Sequence, residues 1–172
     1  RFIDEADRYS NLESAISSSR EHLPQFRTAI DEVGVSRYER FNEALSDITE
    51  QQILIESYTR MYSGSEHMPI LAEFPKARYS QFLGEIQNLG RLEKLITSYT
   101  VYFPIHLIVL NSAAAQQYEK LVAKVGDTGN LEVLIASYSS RLPAHETQLG
   151  QSAQSAYAIL LDQSPDLAAL ES

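Results

Sequence analysis

Apolar residues recur at helical spacing along almost the whole chain. Phe2, Tyr9, Ile16, Leu23 and Ile30 form one seven-residue row, and Leu12, Phe26 and Val33 fill the interleaved row. The pattern predicts a first helix over about 2–32, a break at Gly34 and a cap at Ser36. Phe41, Ile48, Ile55 and Tyr62, with Tyr38 and Leu45, predict a second helix over 37–62. SGSEHMP at 63–69 reads as a loop, and Pro69 and Pro75 bracket a single turn, ILAEF. Phe82, Leu89, Ile96, Phe103 and Leu110, joined by Leu92 and Tyr99, predict a third helix over 76–125 that ends at GDTG, 126–129. Leu131, Tyr138, His145 and Ile159, with Ile135, Leu142, Leu149 and Ala156, predict a fourth over 130–163. Ser164-Pro165 then ends or kinks it, and 166–172 adds a final turn. No alternating strand pattern occurs. The expectation is one all-α domain over 1–172, an antiparallel bundle of about four long helices.

A short phrase repeats within this pattern. LIESY at 54–58, LITSY at 95–99 and LIASY at 134–138 lie 41 and 39 residues apart. The last two copies are longer: GRLEKLITSYTVYFPIH and GNLEVLIASYSSRLPAH, from Gly90 and Gly129. The register continues through Leu110 and Leu149, Ala114 and Ala153, and Tyr118 and Tyr157. A period near forty fits stacked helix pairs, which need a turn inside each repeat. GDTG is the strong turn between the two best copies, so the spacing favours duplicated long helices in a bundle, with a solenoid as the competing reading. Convergence on one packing layer is a third explanation of the short phrase.

Pro24, Pro104 and Pro143 fall inside stripes that keep their phase on both sides, which predicts kinks. Tyr99, Tyr102, His106, Tyr138, Arg141 and His145 lie near the last two prolines. His106 and His145 fall on the inward stripe. They read either as satisfied core histidines or, with the other four, as a polar pocket between kinked helices. In such a pocket Arg141 or a protonated histidine would pair with a carboxylate ligand while tyrosine hydroxyls orient it.

Charge and composition narrow the functions. Fourteen Lys and Arg against 23 Asp and Glu give a net charge of −9, which opposes binding to nucleic acid or anionic lipid. There is no cysteine, hence no disulfide scaffold or thiolate metal site. HETQL at 145–149 starts like a zinc-protease helix but has Leu149 where the second histidine belongs. Four scattered histidines, no phosphate loop and no nucleophile elbow lead us to expect no enzyme activity, no cofactor and no metal. The start at Arg1 reads as that of an excised or processed piece. The most apolar run, VYFPIHLIVL at 101–110, is about half a membrane span.

Leu95, Tyr99 and Phe103 on a long helix, followed by GDTG and by His145-Glu146, resemble the extracytoplasmic sensing regions of bacterial chemoreceptors and sensor kinases, in particular the helical bimodular type. The resemblance covers mainly residues 90–150. It implies an all-helical, periplasmic ligand-sensing domain of an inner-membrane receptor, with two stacked modules and membrane helices on either side. It also implies a small organic acid as ligand and a homodimer in the full receptor. Signalling would be by small shifts of packed helices. The alternative is a helical interaction or adaptor module that reads a partner protein and has no small-molecule ligand.

Overall fold

The structure, a computed structural model, describes residues 3–163. Phe2, Ser164-Pro165 and the turn expected over 166–172 lie outside the described residues. The described chain is all-helical, as expected, but it holds eight α-helices and three 3₁₀ turns. The helices are α1 Tyr9–His22, α2 Arg27–Ala44, α3 Ile48–Tyr62, α4 Met68–Gly84, α5 Leu89–Tyr102, α6 Leu107–Val122, α7 Thr128–Arg141 and α8 Glu146–Gln163. Each of the four long helices read from the stripes is therefore interrupted.

The prolines end helices where kinks were expected. A proline pushes the residue before it out of the α region. Leu23, Phe103 and Leu142 accordingly share one non-helical conformation, with φ near −132°, −141° and −129° and ψ of 53–54°. Their N–H groups close the preceding helix onto Ser19, Tyr99 and Tyr138 carbonyls at 2.8–2.9 Å. The 3₁₀ turns Pro24–Phe26, Pro104–His106 and Pro143–His145 follow, and a new helix starts. Between α5 and the run Pro104–Val122 the axis turns by 108°. The stripe kept its phase because the pre-proline residue and the three-residue turn together occupy about one α-helical turn. Pro75 behaves oppositely: it lies inside α4, and Pro69 lies in that helix's first turn. The single turn ILAEF and the helix start near Lys76 give way to one helix from Met68.

Two further breaks come from capping. Asp47, Asn88 and Asp127 sit in extended conformation and accept a hydrogen bond from the backbone N–H three residues on, at 2.9, 3.0 and 2.7 Å. Each replaces one of the orphan partners at a helix start. The first two split the expected helices 37–62 and 76–125. The third places GDTG as the connection to α7. Arg8 occupies the same position before α1, in the same extended conformation, with no side-chain cap.

Gly34, expected to break the chain, lies inside α2. A Cβ there would stand 2.2 Å from the Tyr62 hydroxyl and 2.8 Å from Ile16 Cδ1. The glycine lets α1, α2 and α3 approach closely. Ser36, expected as a cap, is likewise helical. Gly34→Ala is expected to destabilise by about 1–3 kcal/mol through overpacking, although alanine is the better helix former. Urea denaturation would measure it, and a neutral or stabilising result would refute the close-approach account.

The chain divides into two compact units, 1–78 and 79–172, with the division inside α4. In the first unit α1 packs on α2 and on α3, and α2 packs on α3. In the second, α5 packs on α6 and α7, α6 on α7 and α8, and α7 on α8. The pair α5–α6 thus stacks on the pair α7–α8, first helix on first helix and second on second. This is solenoid-type stacking of helix pairs. The period of about forty holds two helices, and the prolines supply the internal turn that the bundle reading found missing.

Candidate functional site

The repeated phrase has a physical meaning in this stacking. Ser57, Ser98 and Ser137 bond the hydroxyls of Tyr38, Tyr79 and Tyr118 at 2.8, 2.7 and 2.7 Å, each pair nineteen residues apart. The next residue, Tyr58, Tyr99 or Tyr138, meets the same ring edge-on, with centroids 6.2, 6.0 and 6.1 Å apart. Such edge contacts are favoured by the aromatic quadrupole. Leu54, Leu95 and Leu134 are buried beside them. One helix of each repeat is thereby keyed to the tyrosine of the helix before it.

In two places the key extends to a carboxylate. Ser57 Oγ donates to Glu13 Oε1 at 2.6 Å, and Ser137 Oγ donates to Glu93 Oε1 at 2.6 Å. A serine hydroxyl has one hydrogen, so Tyr38 and Tyr118 must be the donors to Ser57 and Ser137. Arg60 Nη2 lies 3.1 Å from Glu13 Oε1, and Arg141 Nε lies 3.4 Å from Glu93 Oε1. Each arginine thus pairs with the same carboxylate oxygen that accepts the serine hydroxyl. Burial raises the tyrosine pKa values, to about 12 for Tyr38, against the lowering effect of the serine bond. The tyrosine hydroxyls stay protonated. The arrangement works as a directional hydrogen-bond lock between stacked helices.

The six residues expected to line a pocket fall on two successive copies of one place. Tyr99 is buried and donates to Asn111 Oδ1 at 2.8 Å. Tyr138 is buried against Tyr118. Arg141 donates to Thr97 Oγ1 at 3.0 Å besides pairing with Glu93. Tyr102, His106 and His145 are half-buried, and the two histidines sit in the 3₁₀ turns. The His106 ring lies 5.3 Å from that of Phe103. Phe103 and Leu142 fill the core at these turns, being 3% and 1% exposed.

A cavity of about 600 Å³ lies in the first unit, at the opposite end of the helices from the proline turn. Its wall includes Glu13, Ser57 and Arg60 of the lock, with Arg8, Tyr9 and Glu50. Burial chiefly, then the Glu50 charge, raises the Tyr9 pKa to about 12. Among the described residues no group of three or more His, Cys, Asp or Glu could hold a metal ion, and no single helix is long and apolar enough to cross a membrane.

Glu13, Tyr38, Ser57 and Arg60, and their counterparts Glu93, Tyr118, Ser137 and Arg141, form two equivalent polar clusters; of these eight residues only Arg141 was expected in a site. A signal existed: tyrosine and serine recur at the same separation three times, and glutamate precedes the serine by 44 residues twice. Comparison with protein-family models, characterised proteins and solved structures returned no match.

Proposed function

We propose that this chain is a helical-repeat interaction module that docks a partner protein through an apolar patch at the Pro104 turn. The observation that carries this reading is a departure from the repeat. Val101, Ile105, Ile108 and Val109 are 65%, 69%, 86% and 49% exposed and lie within nine residues of chain. The corresponding positions around Pro143 are Ser140, Ala144, Thr147 and Gln148, and around Pro24 they are Glu21, Gln25, Thr28 and Ala29. The same turn forms with polar or small residues there, so the fold does not require the apolar ones. Four large aliphatic side chains exposed together suit a protein contact. A photo-reactive residue at position 108 is expected to give one discrete cross-linked adduct in cells, lost on Ile105→Asp. An adduct pattern unchanged by Ile105→Asp would exclude the patch.

The ligand-sensing reading has one observation in its favour, the cavity beside Glu13 and Arg60. A small acid bound between helices, a periplasmic location, flanking membrane segments and a homodimeric receptor belong to that reading. A thermal-shift panel of acids, amines, amino acids and nucleobases separates the two. A reproducible rise in melting temperature with one class, abolished by Arg60→Ala or by Arg141→Ala, would favour the sensor and locate its site.

A further inference from the structure

The fourth repeat ends in a tyrosine that lacks what its three counterparts have. Tyr38, Tyr79 and Tyr118 are fully buried, each covered by the serine and tyrosine of the following helix. Tyr157, thirty-nine residues after Tyr118, is 41% exposed on α8, with Ile159 exposed at 58% on the same helix. The helix α1 of the first unit is built differently. Where α3, α5 and α7 carry the buried leucine, serine and tyrosine of the key, α1 carries Ala15, Ser18 and Ser19, with Ser18 exposed. Thus α1 lacks the key, whereas α8 carries the tyrosine that such a key would cover.

We propose that the outer face of α8 around Tyr157 is a docking surface for the first helix of one more repeat. That helix would have the α7 chemistry: a leucine to bury, a serine to accept the Tyr157 hydroxyl, and a tyrosine to meet its ring edge-on. The sequence supports this occupant. Asp166, Leu170 and Glu171 keep the register of Asp127, Leu131 and Glu132, the cap and opening residues of α7. A second copy stacked head to tail through α1 does not fit, because α1 has lost the leucine and tyrosine of the key. The surface is distinct from the patch at Val101–Val109 and does not depend on its role.

A synthetic peptide with the sequence of residues 127–142 tests the proposal against the full chain. Hydrogen exchange of α8 is followed as peptide is added to millimolar concentration. Saturable slowing of α8 by about tenfold or more is expected. It should be lost with Tyr157→Ala, and weakened when the peptide carries alanine at the positions of Leu134, Ser137 and Tyr138. Tyr157 is exposed, so the variant keeps its fold, which circular dichroism checks. Absence of slowing at millimolar peptide would overturn the proposal, as would slowing that survives Tyr157→Ala. Concentration-dependent self-association of the chain through α8, lost with Tyr157→Ala, would overturn the choice of occupant.

Discussion

Tyr118→Ala is expected to lower the unfolding free energy by about 3–5 kcal/mol, as for a large aromatic removed from a packed core. Tyr118 is fully buried between α6 and α7, donates to Ser137, and packs edge-on against Tyr138. Its removal leaves a void and also takes the proton donor from Ser137, which is already committed to Glu93. Tyr118→Phe keeps the ring and loses only the hydroxyl, so it should cost about 0.5–1.5 kcal/mol. The matching change at the fourth repeat, Tyr157→Ala, should cost well under about 1 kcal/mol, because that side chain is largely in water. Urea denaturation of the three variants measures the series. If Tyr118→Ala cost no more than Tyr157→Ala, the lock would not hold the repeats together.

Alkali should unfold the protein over a defined range. Burial pushes Tyr38 and Tyr79 up to about 12 from the ordinary value of 10, and raises Tyr62, Tyr99 and Tyr118 as well. A raised folded-state value means that the native chain keeps protons which the unfolded chain releases. Below pH 10 both states hold them, and the stability from burial is fully present. Between pH 10 and about 12 the unfolded state ionises first, so stability falls with rising pH. Each buried tyrosine contributes a slope of up to about 1.4 kcal/mol per pH unit in that window. Five buried tyrosines together should exhaust a typical domain stability of about 5–15 kcal/mol near its upper edge. Tyrosinate absorbance and helix content should change together. Tyrosines that ionised near pH 10 with the helices intact would contradict their burial.

Helix content was legible in the sequence because the apolar stripes are long and regular. Helix ends were not. The proline turns hid in the stripe because each takes about one helical turn of residues. Gly34 misled in the other direction: its missing side chain serves a neighbour's hydroxyl, which no local pattern reveals. Asp47 and Asn88 carried the cap signal, but the apolar rows ran through both. The period of about forty was visible, and its reading turned on whether a turn existed inside it. The locks escaped because their members lie in different helices; only the constant tyrosine-to-serine separation ties them in sequence. The six residues singled out beside Pro104 and Pro143 were drawn to the turns by the histidines, while the ordered polar chemistry lies on the serine side of the phrase.

The equivalence of the tyrosine–serine contacts has a consequence for how the gene for such a chain can change. A contact that recurs at a fixed separation is restored by any insertion or deletion of one whole period and broken by any other length inside the helices. The two extra residues of the second repeat fall in the stretch after Tyr62, where Ser63-Gly64-Ser65 replaces the proline turn, and Gly64 takes the left-handed φ of 74°. Tyr79 still reaches Ser98 beyond them. Length variation among descendants of this sequence should therefore come in steps of about forty, with small remainders confined to the connection between the two helices of a repeat.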